Sequence, residues 1–275
     1  MSVDPRPIGV FDSGIGGLTV VRRLRAMLPD ESIVYFGDSA RVPYGTKSPE
    51  TVLRFTREAT RFLGRFDVKL MVVACNTASA LALPSLRDET PLPMVGVIQP
   101  GVRAALRATR TKRIGVIGTS ATIRSKAYEE AIHALEPKAV VATGACPLFV
   151  PLAEEGWTEG PVVEDIARVY LDPLQQAEID TLVLGCTHYP LLEAAIAKVM
   201  GEEITLVEPA VETSTEVATV LAGLGLTAPA GRAGTARYFV SDIPAQFREV
   251  GNRFLGSPMD QVEWVDQNDL PWYER

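Results

Sequence analysis

Eight short runs of β-branched and apolar residues recur along this chain, at 8–11, 32–36, 70–74, 94–98, 113–117, 139–142, 181–184 and 205–207. Between them lie segments with helical spacing, at 18–28, 49–64, 77–83, 100–108, 123–135, 162–177, 191–199 and 212–224. Strands that alternate with helices cannot pair as hairpins; they form parallel sheets covered by helices on both faces. The fold class expected is therefore α/β and doubly wound.

The pattern also repeats. Ile8-Gly9-Val10 precedes the hydroxyl-bearing turn Asp12-Ser13-Gly14, and Ile114-Gly115-Val116 precedes Gly118-Thr119-Ser120. About 70 residues after each start comes an apolar run that ends on a thiol: LMVVACNTASA carries Cys75 and TLVLGCTHYPLL carries Cys186. At 275 residues the chain is long enough for two domains. The repeat predicts two pseudo-symmetric lobes facing across a cleft, one made of residues 1–98 and 210–275 and the other of residues 99–209. The crossings are expected at the turn Ile98-Gln99-Pro100-Gly101 and at Glu208-Pro209-Ala210. The strand-like Ala236–Val240 and the aromatic end Pro271-Trp272-Tyr273 are placed with the first lobe.

Charge and composition exclude several classes. A net charge of −7, with RTKR at 110–113 as the densest basic run, offers no footprint for nucleic acid. No stretch approaches the length of a membrane span, and the N-terminal residues lack a secretory pattern, so a cytoplasmic protein is expected. Three widely spaced cysteines form neither a disulfide framework nor a zinc knuckle.

A strand that ends on a thiol presents it where α/β sheets carry their chemistry, and helix N–H groups nearby favour a thiolate. Cys75 leads into the capping segment Asn76-Thr77-Ala78-Ser79, and Cys186 into Thr187-His188-Tyr189-Pro190; both are expected beside such donors. Cys146 lacks a following polar pair and reads as structural. Of the two histidines, His133 lies on an amphipathic helix, whereas His188 stands two positions from a thiol and suits proton transfer. The loop Asp12–Thr19 lacks the lysine of a phosphate loop, so its glycines read as permitting close approach to a small ligand, with Asp12 for a cation and Ser13 for an oxygen. Tyr44 and Gly45 offer an O–H and an N–H to a carboxylate. Arg41 reads equally as an ion-pair partner or a ligand contact, and Asp38 is similarly open. Glu154 and Glu155 read as a solvated pair, one of which could reach the cleft.

The blocks FDSGIGGLTV, YFGDSARVPYGTKS, VVACNTASA, GVIGTSATIRSKAY, ACPLFVPLAEEG and VLGCTHYPLLE, in that order from residue 8 to about residue 213, resemble the glutamate branch of the cofactor-independent aspartate and glutamate racemases. The resemblance implies interconversion of L- and D-glutamate, supplying D-glutamate for peptidoglycan and hence cell-wall biogenesis and cell shape, without pyridoxal phosphate, metal or other cofactor. It implies that Cys75 and Cys186 are paired acid and base, Cys75 working on the D-enantiomer and Cys186 on the L-enantiomer. Asp12, Glu154 and His188 would assist them. Asp12, Ser13, Tyr44, Gly45, Asn76, Thr77, Thr119, Thr122, Thr187 and His188 would contact substrate, and a homodimer is implied as well. The chain departs from the family pattern at VEPAVETS and at Gln99, both near the crossings. A racemase for another amino acid, a two-lobed amino-acid binding protein and a thiol redox protein are the competing readings; the last normally keeps its cysteines close in sequence.

Overall fold

The computed structural model describes residues 3–266. Among these residues ten strands form two sheets: β1 (Ile8–Asp12), β2 (Ile33–Gly37), β3 (Leu70–Val73), β4 (Met94–Gly96), β5 (Arg113–Gly118), β6 (Val140–Ala145), β7 (Thr181–Gly185), β8 (Thr205–Val207), β9 (Ala236–Val240) and β10 (Val262–Trp264). The first sheet runs β10-β9-β2-β1-β3-β4 and the second β6-β5-β7-β8. Every pairing among them is parallel. The order β2-β1-β3-β4 is the order β6-β5-β7-β8 used a second time, so the repeat heard in the sequence is a repeat of topology.

The central strands β1, β2, β3 and β7 are buried along their whole length, which explains their unbroken apolar runs: helices cover both faces. The chain leaves β1 for β2 on one side and reaches β3 on the other, so a crevice opens beyond the strand ends between β1 and β3. The same switch separates β5 and β7. Phe11 pairs with Val73, and Gly118 pairs with Gly185. Following the strands outward by two residues sets Ser13 beside Cys75; following them by one sets Thr119 beside Cys186.

The crossings differ from expectation. The helices expected at 100–108 and 212–224 are present but start earlier, as Ile98–Ala108 and Pro209–Leu224, so residues 98–101 and 209–210 are first helical turns rather than loops. A proline in a first helical turn removes an N–H that has no partner there, so Pro100 and Pro209 open helices rather than break the chain. These two helices pack together: a Cβ at Gly101 would lie 3.1 Å from Pro209 Cγ. The expected helix at 123–135 is two, Ser120–Arg124 and Ala127–Leu135, parted at Lys126, whose φ of 57° is left-handed. Helices Leu83–Glu89, Phe149–Glu155 and Pro244–Leu255 and strand β10 were absent from the sequence reading. Each of these helices has a proline at or near its start, which hid it. The aromatic end at 271–273 lies outside the described residues.

The basic run 110–113 is tied down locally. Asp180 accepts the N–H of Arg110 and of Thr111 at 2.7 and 2.6 Å, and Lys112 pairs with Glu136. His133 is half-buried and bonds the Ala139 carbonyl at 3.1 Å. No helix among the described residues is long and apolar enough to cross a membrane.

Candidate active site

Cys75 and Cys186 line one cavity of about 360 Å³. Their surroundings differ. Cys75 caps the short helix Asn76–Leu81: the Ala78 N–H donates to Sγ at 3.5 Å, and Sγ donates to Ser13 Oγ at 3.4 Å. Burial pushes this thiol up to about 12, with the Asp12 carboxylate acting in the same direction; the hydrogen bonds that the Ser13 hydroxyl and the Ala78 N–H can give a thiolate oppose it only in part. Cys75 therefore rests as a neutral thiol.

Cys186 is not at the start of a helix, contrary to the sequence reading. A turn follows it, then the single-turn helix Tyr189–Leu192. The turn folds His188 back so that Nδ1 lies 3.8 Å from Sγ, and Nε2 lies 2.8 Å from Glu154 Oε1. Burial disfavours the imidazolium, but Cys186 and Glu154 outweigh it and hold His188 up at about 10. At neutral pH a protonated imidazole thus stands between the Cys186 sulfur and the Glu154 side chain.

Asp12 is fully buried and accepts N–H bonds from Gly14, at 3.0 Å, and from Gly17, together with the Thr187 hydroxyl at 3.5 Å. Burial raises its pKa, while the His188 charge and these N–H groups pull it back. It braces the glycine loop from behind and does not line the cavity. At Gly16 the loop comes close to protein: a Cβ there would fall 2.2 Å from Thr187 Oγ1 and 2.5 Å from His188 Nδ1. Gly16 thus lets the first half press against the turn that carries His188.

Tyr44 lines the cavity, yet its hydroxyl donates to Asp38 Oδ2 at 2.5 Å. That carboxylate also accepts from Arg41 at 2.7 Å and from Ser241 at 2.9 Å, and Arg41 pairs with Glu58. Arg41 is an internal ion-pair partner, and Asp38 ties the loop down.

Three hydroxyls close the opposite wall. Thr77 lies 2.9 Å from Thr119 and 3.1 Å from Thr122, and Thr119 lies 3.0 Å from Thr122. The Tyr128 hydroxyl donates to Asn76 Oδ1 at 2.7 Å across the same seam, and a Cβ at Gly45 would sit 2.6 Å from Thr119 Cβ. Thr122 stands behind Thr77 and Thr119 and, with Asp12, is the only candidate that does not line the cavity. Val42, Pro43, Pro147, Val150 and Pro151 supply an apolar wall that the sequence reading missed. Their signal was the proline-rich character of ARVPYG and CPLFVP. Such a wall strengthens every charge inside by excluding water. Among the described residues, no cluster of three or more His, Cys, Asp or Glu side chains could hold a metal. Cys146 is buried at the foot of this wall, its carbonyl bonded by Tyr189 at 2.9 Å.

Comparisons with known proteins identify the family. The sequence profile of the family described as Asp/Glu/Hydantoin racemase matches residues 16–216. A glutamate racemase of Geobacter metallireducens is 56% identical over 260 residues, 94% of this chain and 96% of that protein. One from Neisseria meningitidis is 51% identical over 261 residues, 94% and 96% of the two chains. The crystal structure of a Francisella tularensis glutamate racemase in complex with D-glutamate superposes with a TM-score of 0.91 at 40% identity, covering 97% of this chain and all of that one.

Proposed function

Since the chain belongs to the Asp/Glu/hydantoin racemase family, we propose that it interconverts L- and D-glutamate by passing the Cα proton between Cys75 and Cys186. The observation that carries the reading is that two thiols, on equivalent strand ends of two like sheets, line one cavity. Inverting a carbon centre requires that a proton leave one face and another arrive on the opposite face.

In the reading, a thiolate on one side takes the Cα hydrogen as a proton. The electron pair left on Cα spreads into the α-carboxylate, whose oxygens the Thr77 and Thr119 hydroxyls and nearby main-chain N–H groups are placed to receive. The thiol on the other side then gives its proton to the opposite face of Cα. One thiol has gained a proton and the other has lost one, so the enzyme resets by proton exchange with water. On the Cys186 side, His188 and Glu154 form the route for that exchange, because Glu154 is the partly exposed end of the chain of contacts. On the Cys75 side Asp12 supplies negative charge that keeps the thiol protonated until substrate, with its ammonium group, enters. Cys75 is assigned to the D-enantiomer and Cys186 to the L-enantiomer.

The proposal extends to a supply of D-glutamate for peptidoglycan in the cytoplasm, to a homodimer, and to lobes made of residues 1–98 with 210–275 and of residues 99–209. The test is direct. With no added cofactor, either enantiomer should racemise in deuterated water and deuterium should enter Cα. Reduced protein that gives neither racemisation nor exchange defeats the proposal. Light scattering of the same preparation reports the oligomer.

A further inference from the structure

The Glu154–His188 pair is held from the far end of the chain. Helix Pro244–Leu255 follows β9, packs on helix Leu18–Met27, and presents two consecutive residues to the pair. Arg253 Nη2 donates to the main-chain carbonyl of Glu154 at 2.9 Å. Phe254, fully buried, meets the His188 ring edge to face, with centroids 5.2 Å apart and planes at 78°.

The Glu154 carbonyl needs such a donor. Helix Phe149–Glu155 ends at Gly156, whose φ of 78° is left-handed. The Gly156 N–H goes to the Ala153 carbonyl at 3.2 Å and the Trp157 N–H to that of Leu152 at 2.8 Å. Both bonds serve carbonyls upstream of Glu154, and helix ends leave their last carbonyls without main-chain donors. A guanidinium there also meets the negative end of the helix dipole. The space is reserved for it: a Cβ at Gly156 would lie 2.0 Å from Arg253 Nη1.

We propose that Arg253 and Phe254 are positioning residues for the Cys186 thiol, fixing the main chain under the Glu154 carboxylate and the plane of the imidazole so that Nδ1 stays aimed at Sγ. The inference rests on the two-thiol reading. Among the described residues Cys75 has no counterpart to this clamp, its hydrogen-bond partners being Ser13 and the Ala78 N–H. Loss of the clamp should therefore be felt on one face of the substrate.

The test uses the full chain. Arg253 is exposed, so Arg253→Met keeps the aliphatic stem and removes the donor with little cost to folding. It should lower kcat by about tenfold with KM nearly unchanged, and Arg253→Lys should restore most of the loss. The primary isotope effect should rise for Cα-deuterated L-glutamate, whose proton Cys186 removes, and fall for the D-enantiomer. In a His188→Asn background, Arg253→Met should cost less than about twofold, because coupled residues are not additive. Phe254→Leu should give the same one-sided isotope signature. Wild-type rates in Arg253→Met, equal changes for both enantiomers, or an undiminished loss in the His188→Asn background each overturn the inference while leaving the racemase reading in place. A wild-type protein that does not racemise glutamate overturns both.

Discussion

The ends of β3 and β7 occupy equivalent places in two like sheets and carry the same residue, yet they give it different company. Cys75 meets a helix N-terminus and a serine; Cys186 meets an imidazole backed by a carboxylate. The difference begins in the residues after each cysteine. Asn76-Thr77-Ala78 continue as a helix, so the sulfur caps it; Thr187-His188 make a turn, so a ring folds back onto the sulfur. Topology places the thiols, and local backbone decides which partners each one meets.

Four experiments sharpen or break that contrast. The largest effect belongs to the thiols themselves. Cys75→Ala and Cys186→Ala should each lower racemisation, followed by circular dichroism, by at least about 10³-fold, since the proposed scheme makes each an obligatory proton carrier. A variant within tenfold of wild type would end the two-base scheme.

Next, Glu154→Gln and His188→Asn should each cost about 10²-fold, with the isotope effect concentrated on the enantiomer deprotonated by Cys186. Symmetric isotope effects would erase the distinction between the two ends.

Stability offers a third measure. The folded pKa of His188 is raised from 6.5 to about 10, so the folded state binds a proton that the unfolded state has released. That contribution is complete below the unfolded value and is lost as pH rises through the folded one. Between pH 7 and 8.5 the unfolding free energy should fall by up to about 1.4 kcal/mol per pH unit, as read by urea titrations, and His188→Asn should flatten the slope. Above pH 9 the raised Cys75 thiol adds a fall of the same sign. A rising slope in wild type would contradict the charge assigned to His188.

The smallest effect is Ser13→Ala, which removes one acceptor from Cys75 and should change kcat by only a few-fold, since a single neutral hydrogen bond contributes about 1 kcal/mol. Its isotope effect should rise for the D-enantiomer, the mirror of the His188 result.

Much of the scaffold was legible because its signals are local. Apolar runs at buried strands and the matched cysteine blocks located the strand ends. Prolines misled only at the starts of Ile98–Ala108 and Pro209–Leu224, where the residue that marks a turn can also open a helix. Arg41 and Asp38 stayed ambiguous because nothing in the sequence says whether a charged pair faces a ligand or each other; in the structure they meet at 2.7 Å.

The sequence by itself set the order of elements, the duplication, and two thiols at strand ends, since each follows from hydrophobic periodicity and backbone preference within a few residues. Only the tertiary structure decided that Gly16 presses on the Thr187-His188 turn, that Asp12 sits behind the cavity wall, and that Arg253 and Phe254 reach the Glu154–His188 pair. Those contacts join residues such as Asp12 and Thr187, 175 positions apart, and so depend on how two sheets pack rather than on what either strand prefers alone.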